Sequence, residues 1–374
     1  MTPTAAAATP ATPPAAGPAR FAVVGSGWRA AFFLRVARQL PERFAVTGVV
    51  SRSAERGAEV ERAWGVPTWR TVAEALAADR PDFAVVSVPH EVAPGVIREL
   101  VSRDVPVLSE TPPAPDVPAL RELWAAVGGS GLVQVAEHSP FMPAHAARVE
   151  AVRRGLIGTP GSVQISSTHG YHAVAVIRAL LGVGFEDVAV SAHVSTAPLV
   201  DVMNRQGWTD DDEPRDAETT LATLGFASGR SALYDFTDNQ WHNPLRTNRI
   251  VVRGSRGEMV DDRVVRLAGP RTVVESRLAR RQAGIEQDLE GFDLDHLSLD
   301  GEVLFRNPFQ GARLADDEIA VASLLGATAA WVAGAGPAPY PLAEASQDHL
   351  ISLAMTEAAR SGSVVRTGTE DWAG

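Results

Sequence analysis

The chain of 374 residues contains no cysteine, and all 34 of its basic residues are arginine, so lysine is absent as well. Without cysteine the chain can form no disulfide, no thiol nucleophile and no cysteine-ligated metal site. Without lysine, no lysine side chain can act as a catalytic acid, a catalytic base or a Schiff-base amine. Every mechanism that needs either residue type is therefore excluded.

Acidic residues outnumber the arginines, 45 to 34, and the net charge is -11. This balance argues against a nucleic-acid partner, because phosphate backbones attract basic surfaces. No apolar run approaches the length that spans a membrane, so we expect no membrane partner. Residues 2–19 contain only Ala, Thr, Pro and Gly. They lack the basic and apolar regions of a secretory signal, so we expect a disordered leader over residues 1–19 and a cytoplasmic protein.

The first half of the chain alternates apolar runs with amphipathic runs. Strands are predicted at residues 21–24, 44–50, 82–88, 105–108 and 132–136, and helices at 54–64, 92–103 and 120–127. This alternation predicts an α/β fold with a doubly wound parallel sheet, here a Rossmann domain over residues 20–138. Such sheets bind ligands at the carboxyl ends of their strands.

After Pro140 strands predominate. They are predicted at residues 162–167, 187–196, 218–226, 231–236, 247–253 and 258–267, with helices at 169–181, 316–332 and 343–360. Successive strands with few helices predict an α+β domain with an open, largely antiparallel sheet over residues 139–374. The polar regions 201–216 and 277–301 are predicted to be irregular surface excursions near the site or at an oligomer contact.

The segment Arg20-Phe-Ala-Val-Val-Gly-Ser-Gly-Trp-Arg-Ala30 indicates a strand, a glycine turn and the start of a helix. Two glycines allow a tight turn and the close approach of a pyrophosphate, and Ala30 is the small residue that G-x-G-x-x-G/A requires. The amides that open the helix would face the phosphates. The segment therefore predicts NAD or NADP binding through Gly25, Ser26, Gly27, Trp28 and Arg29.

Ser51, Arg52 and Ser53 follow the second strand, where an acidic residue would bind the ribose 2′-hydroxyl of NAD. Its absence removes a charge that would repel a 2′-phosphate, and Arg52 offers a planar set of donors for one. These three residues are predicted cofactor contacts, with NADP favoured. The alternative is a solvated Arg52 beside NAD that is bound through other contacts.

Six motifs together suggest a known family: Gly25-Ser-Gly27, Val88-Pro89-His90, Ser109-Glu110-Thr111-Pro112, Gly155-Leu-Ile-Gly158, His169-Gly-Tyr-His172 and Ala358-Ala359-Arg-Ser-Gly362-Ser-Val364. With the expected two-domain organisation, the chain beyond the leader resembles the Gfo/Idh/MocA family of sugar and cyclitol dehydrogenases. The resemblance implies an NAD(P)-dependent oxidoreductase that transfers hydride between a nicotinamide and a sugar, cyclitol or related polyol.

Two positions depart from that family. Thr111 stands where the family has the lysine of Glu-Lys-Pro, and Thr168 stands where it has an aspartate four residues before its histidine, here His172. The fold and cofactor of the family carry over, whereas its lysine-assisted chemistry does not. A catalytically weak dinucleotide-binding sensor or accessory protein is therefore an alternative, and so is redox-neutral elimination or glycoside cleavage through transient oxidation.

Other site residues follow from the strand ends. His90 lines the cofactor or caps the next helix, and Glu110 accepts a ribose hydroxyl. Thr111 donates to substrate or ribose, or merely fills space. Glu137, beside His138, orients the substrate or is structural. The cofactor-lining residues predicted here are Val88, Pro89, His90, Glu110 and Glu137.

His169 and His172 share one helix face in the predicted structure, because they are three residues apart. Hydride can leave a carbinol only if the hydroxyl proton leaves too, and histidine can accept that proton near neutral pH. We predict His172 as the base, with His169 or a water completing the relay unless His169 only caps the helix. These two and Thr111 are the predicted catalytic residues. No third ligand has convincing spacing, so no metal is expected.

A group of aromatic and hydrogen-bonding residues follows two later strands and suits a sugar site. Its members are Tyr234, Asp235, Asp238, Gln240, Trp241, His242 and Arg249. The alternative is an ordinary sheet surface that faces solvent or a partner sheet. We also expect a homo-oligomer that assembles through the open sheet, and a small-molecule substrate.

Overall fold

A computed structural model describes residues 17–284, 288 and 291–374. Most of the predicted leader lies outside the described residues. The strands of the first domain are β1 (Ala19–Val24), β2 (Phe44–Val50), β3 (Thr68–Trp69), β4 (Phe83–Val86), β5 (Val107–Ser109) and β6 (Val133–Val135). Its helices are α1 (Ala30–Gln39), α2 (Ala54–Trp64), α3 (Val72–Ala78), α4 (Ala93–Val101) and α5 (Val117–Val127).

The first sheet is parallel throughout and has the order β3-β2-β1-β4-β5-β6. The strand order reverses between β1 and β4, which is the switch point where a Rossmann fold binds its dinucleotide. The strands form because their apolar residues are buried on both faces; Phe21 and Phe83, for example, are fully buried and their ring centroids are 5.5 Å apart. The predicted doubly wound fold is confirmed.

The second domain is α+β, as predicted. Its strands are β7 (Pro160–Ser166), β8 (Val188–Leu199), β9 (Met203–Asn204), β10 (Gly207–Trp208), β11 (Arg215–Phe226), β12 (Ser231–Thr237), β13 (Arg249–Gly254), β14 (Gly257–Val260), β15 (Arg263–Gly269), β16 (Thr272–Arg277), β17 (Ala279–Ala283), β18 (Asp293–Leu299), β19 (Glu302–Arg306) and β20 (Val365–Arg366). Its helices are α6 (Pro143–Arg153), α7 (Gly170–Leu181), α8 (Asp316–Val332) and α9 (Leu342–Ser361).

The main sheet of this domain has the order β16-β15-β14-β13-β7-β12-β11-β8-β20. All its pairs are antiparallel except β7 with β12, which is parallel. Three predictions need correction. Residues 258–267 are two strands, because Asp261 turns the chain with φ +53°. The predicted excursion at 277–301 contains β17 and β18, which pair with β19. The predicted excursion at 201–216 contains the hairpin of β9 and β10.

The hydrophobic core connects the two halves of the chain. One buried cluster contains Phe21 of β1 together with Ile165 of β7 and Leu325 of α8. A second cluster beneath α4 and α5 includes Leu350 and Trp372 from the end of the chain. The last segments thus pack on the first domain, and the division at residue 138 stays a proposal. Among the described residues, no helix is long and apolar enough to cross a membrane.

Candidate functional site

The glycine turn after β1 has the shape that a bound diphosphate needs. Gly25 has φ +121°, and an added Cβ would lie 2.0 Å from the Ser87 carbonyl oxygen, so the end of β4 requires glycine there. An added Cβ on Gly27 would meet no described atom within 4 Å, which leaves open space beside the turn. No side chain caps the start of α1. Its first amides can therefore bind phosphate oxygens, and the residues present fit a dinucleotide.

The loop after β2 combines structural residues with one exposed cation. The Ser26 and Ser51 hydroxyls are 3.0 Å apart, and Ser53 caps α2 by accepting from the Arg56 amide at 3.1 Å. Arg70 donates to the Ser51 carbonyl oxygen at 2.8 Å and so supports the loop. This contact was not predicted from the sequence. Arg52 is exposed. Of the three predicted ribose contacts, only Arg52 has its side chain free to turn toward a ligand.

The segment after β4 lies at the same edge of the sheet. Val88 is half-buried, whereas Pro89 and His90 are exposed. The His90 Nε2 lies 3.1 Å from a Glu91 carboxylate oxygen. His90 does not cap α4, because that helix begins at Ala93 and its N-cap makes no side-chain bond. The predicted cofactor contacts of the segment remain open to a ligand.

Arg29, one of the predicted cofactor contacts, is bound by side chains from two other elements of the fold. Its Nε donates to Glu110 at 2.8 Å, its Nη1 lies 3.4 Å from Asp317, and its Nη2 lies 3.2 Å from the His138 Nδ1. Burial alone would lower the pKa of Arg29, but the two carboxylates raise it above its usual value. A permanent cation thus joins the ends of β5 and β6 to the start of α8.

His138 is held on both ring nitrogens, and so has no nitrogen free for a substrate. Its Nε2 is 2.8 Å from Asp317 Oδ1, and Arg29 occupies the Nδ1 side. Burial raises the pKa of Asp317, but His138 and Arg29 together bring it down to about 2. Asp317 is therefore ionised. Asp317 could not be predicted as a site residue, because most of the second domain separates it from His138 in the sequence and no local motif surrounds it.

His172 and Glu137 form a histidine–carboxylate pair at the carboxyl end of β6. The His172 Nδ1 lies 2.7 and 2.9 Å from the two carboxylate oxygens of Glu137, and the Ser139 amide donates to the same carboxylate at 2.9 Å. The Glu137 side chain is 1% exposed. Burial raises its pKa, but His172, His138 and the Ser139 amide together outweigh burial and the pKa falls to about 2.

This pairing decides which nitrogen of His172 is available. An ionised Glu137 accepts the Nδ1 proton and fixes the ring, which leaves Nε2 as the basic nitrogen of the neutral imidazole. In the part of the chain that the structure describes, no group is hydrogen-bonded to Nε2. The His172 side chain is 12% exposed, so the ring is sheltered but not sealed. The pair can therefore accept or donate a proton at Nε2.

His169 stands at the start of α7 but does not cap that helix with its side chain. Its ring centroid lies 5.0 Å from that of His172 and 4.8 Å from that of Trp241. Burial, with a further contribution from His172, lowers the pKa of His169 to about 4. A neutral His169 is thus a weak base. Its ring lies between the rings of His172 and Trp241.

Thr111 follows β5 and lines the same small cavity as Tyr171. Burial raises the pKa of Tyr171 to about 12, so its phenol stays protonated. The Tyr171 ring centroid is 4.5 Å from that of His172. Thr111 therefore reaches the same group of side chains as His172, although a hydroxyl supplies no positive charge.

The predicted sugar-site group divides into structural and exposed members. The Tyr234 hydroxyl accepts the Gly170 amide at 3.1 Å, and Gln240 donates to the Ser166 carbonyl oxygen at 2.8 Å. Both residues are buried. Trp241, by contrast, is 44% exposed. The other members lie at the surface or in half-buried positions, with Asp235 and Arg249 joined by an ion pair of 2.9 Å.

Trp241 belongs to a row of rings that leads to the histidine pair. It stacks on Phe236 with centroids 5.1 Å apart and planes 17° apart, and its ring centroid lies 4.8 Å from that of His169. The row presents an aromatic surface next to His172. Such a surface can contact the apolar face of a sugar ring.

The same place contains a group that could hold a metal ion, which residue spacing alone did not indicate. Glu137, His138 and His172 each bring a ligand atom to within 4.8 Å of the others. The cation of Arg29 lies 3.2 Å from His138, however, and would repel an ion bound there.

Comparison with known proteins identifies the family of the first domain and the fold of the chain. Residues 19–138 match the model of the oxidoreductase family GFO_IDH_MocA, which has an NAD-binding Rossmann fold. No curated protein shows significant sequence similarity to the chain.

Several solved structures share the fold over nearly the whole chain. An oxidoreductase from Agrobacterium radiobacter, in complex with NAD+, L-tartaric acid and magnesium, is 14% identical; the match covers 93% of this chain and 98% of that one, with a TM-score of 0.67. A myo-inositol dehydrogenase from Corynebacterium glutamicum is 17% identical, with 94% and 100% covered and a TM-score of 0.64. The WlbA dehydrogenase from Chromobacterium violaceum, in complex with NADH and UDP-GlcNAcA, is 15% identical, with 96% and 98% covered and a TM-score of 0.63.

Proposed function

The first domain of this chain belongs to the Gfo/Idh/MocA oxidoreductase family, and on that basis we propose that the protein is an NAD(P)-dependent oxidoreductase acting on a CH–OH group. The substrate is a sugar, a cyclitol or a related polyol. The observation that carries the proposal is the His172–Glu137 pair, because Glu137 follows β6 at the carboxyl edge of the parallel sheet, the edge where Rossmann folds bind their dinucleotide.

The cofactor is held at the glycine turn. Gly25 and Gly27 provide the turn and the open space, and the uncapped amides of α1 bind the diphosphate. Arg52 lies at the ribose end, while Val88, Pro89 and Glu110 line the track toward the nicotinamide end. When bound, the nicotinamide supplies the hydride acceptor or donor.

His172 handles the proton that must move with the hydride. The substrate hydroxyl donates its proton to the His172 Nε2, and the resulting imidazolium is stabilised by the Glu137 carboxylate on Nδ1. In the opposite direction the same Nε2 returns the proton to a carbonyl oxygen. Glu137 also fixes the ring, so the pair works without the lysine that the chain lacks.

The remaining residues position the substrate. Trp241 offers its exposed ring to the apolar face of a sugar, with neutral His169 between that ring and the base. Thr111 and Tyr171 present hydroxyl groups on the other side of His172. Aromatic faces combined with a few hydrogen-bonding groups are typical of sites that bind sugars.

The protein assembles through the open face of its nine-stranded sheet. Leu221 of β11 and Leu233 of β12 are 41% and 38% exposed on that sheet. Apolar side chains on an uncovered sheet face are suited to contact a second copy of the chain.

The experiment compares wild type with His172→Asn in single-turnover reduction of NAD+ and NADP+ by a panel of sugars, cyclitols and polyols. His172→Asn keeps size and some hydrogen bonding but loses the base, so the rate should fall roughly 10²–10⁴-fold with unchanged cofactor affinity. Phe305→Leu, in β19 away from the site, is the control variant. A wild-type rate in His172→Asn would exclude His172 as the base. Tight cofactor binding without turnover would favour the sensor, for which Thr111 at the lysine position is the supporting observation.

A further inference from the structure

The side chain of Arg205 lies on the ring of Trp28, although the two residues belong to different domains. The guanidinium carbon of Arg205 is 3.5 Å from the centroid of the Trp28 ring, which is a close cation–π contact. Arg205 stands at the tip of the hairpin formed by β9 and β10. The hairpin thus brings a cation to the residue that directly follows Gly27.

Two arginines that follow the turn or contact it already have acidic partners. Arg29 is bound to the carboxylates of β5 and α8, and Arg56 pairs with Glu59. Across residues 17–284, 288 and 291–374, no carboxylate pairs with Arg205, and its side chain is exposed. The charge of Arg205 is therefore available to a ligand at the turn.

The hairpin is tied to the sheet and does not depend on Trp28 alone for its position. The Asn239 amide donates to the Met203 carbonyl oxygen at 3.1 Å, and the Asn243 amide donates to the Val200 carbonyl oxygen at 2.8 Å. These bonds hold both the strand and the chain that leads into it. Arg205 is thus presented to the dinucleotide turn by an anchored segment.

We propose that Arg205 is a cofactor-binding residue, supplied by the second domain, whose guanidinium binds the diphosphate of the dinucleotide. The inference rests on the proposed dinucleotide binding at the Gly25–Gly27 turn. The amides of α1 offer partial positive charge to the phosphates from one side. A planar guanidinium held 3.5 Å from the Trp28 ring centre adds a full charge and paired N–H donors, which match phosphate oxygens.

Calorimetric binding of ADP-ribose, NADH and NADPH tests the assignment, because ADP-ribose carries the diphosphate but no nicotinamide. Arg205→Ala should weaken all three ligands by roughly 10- to 100-fold, the range for charge-assisted hydrogen bonds. Arg205→Lys, which keeps the charge but loses the planar contact, should give an intermediate loss. Gln206→Ala, the exposed neighbour at the hairpin tip, is the matched control and should bind like wild type.

The dependence on salt provides a second measurement. The affinity of wild type for ADP-ribose should fall more steeply with ionic strength than that of Arg205→Ala, since an exposed charge is screened by salt. Wild-type affinity in Arg205→Ala, or a loss no greater than in Gln206→Ala, would overturn the assignment and leave dinucleotide binding intact. If wild type bound none of the three ligands, both the assignment and the proposed function would be wrong.

Discussion

Replacing Glu137 by glutamine should disable the proposed base while it preserves the size of the side chain. The Ser139 amide and the His172 Nδ1 both point at the Glu137 side chain, at 2.9 and 2.7 Å. If the amide oxygen of glutamine stays on the Ser139 amide, its NH₂ group faces Nδ1. The ring must then carry its proton on Nε2. A protonated Nε2 has no lone pair, so it cannot accept the proton of a substrate hydroxyl. If the amide is flipped, two donors face each other at Ser139.

The magnitude follows from the electrostatics of the pair. The Glu137 pKa is about 2 instead of the usual 4.5. This difference corresponds to about 3 kcal/mol of net favourable interaction between the carboxylate and its surroundings, and the largest stabilising part is the charge that the His172 ring carries once it has accepted the proton. Because about 1.4 kcal/mol equals one factor of ten, losing that stabilisation from the transition state slows the reaction about 10²-fold. The wrong tautomer adds to this loss, so kcat should fall roughly 10²–10⁴-fold.

The assay is a stopped-flow measurement of a single turnover, followed by the absorbance of the reduced nicotinamide. Cofactor affinity should stay as in wild type, because Glu137 acts through His172 on the substrate side. Glu357→Gln is the matched control, since Glu357 pairs with Arg360 at the surface of α9. A folded Glu137→Gln that reacts at the wild-type rate would refute the role assigned to the pair.

Three further predictions concern the cofactor and stability. Gly27→Leu should abolish dinucleotide binding in calorimetry without loss of the fold. A leucine side chain there would meet no described protein atom at its Cβ but would fill the space that the diphosphate needs. Unchanged affinity would contradict the binding site. Arg52→Ala should weaken NADP by roughly 1–3 kcal/mol and spare NAD, and equal losses would remove Arg52 from the 2′-phosphate. Burial lowers the pKa of His169 to about 4, from 6.5 in the unfolded chain, so its stabilising contribution is complete above 6.5 and is lost as the pH falls through 4. The free energy of unfolding should therefore fall by up to about 3 kcal/mol over that window, and denaturant titrations of His169→Gln should show a smaller slope with pH.

The first domain could be predicted in detail because its signals are local. The ranges Phe44–Val50 and Ala54–Trp64 were predicted to the residue, since one is a mostly apolar run rich in β-branched residues and the other ends before Gly65, which has φ +70°. Strand β3 and helix α3 were missed. The strand has only two residues, which is too short for a pattern. The helix could have been predicted from the capping box of Thr71 and Glu74, which is visible in the sequence.

The site could be predicted only residue by residue. His172 and Glu137 were each identified, but their pairing depends on how α7 packs against the end of β6, and residue spacing does not encode such packing. Asp317 and Arg205 reach the site from a helix and a hairpin that carry no motif of their own. The polar sequence of the hairpin indicated an irregular excursion, because alternation over two-residue strands is too short to detect.

The central claim is that the protein oxidises or reduces a carbinol carbon with His172 as the base. Its most direct test is deuterium transfer from sugars, cyclitols and polyols labelled at the carbinol carbon to NAD+ or NADP+, measured by mass spectrometry. Wild type should transfer the label from at least one of these substrates, and His172→Asn, with cofactor bound, should transfer far less. Cofactor binding by wild type without any label transfer, or equal transfer by the two proteins, would contradict the claim.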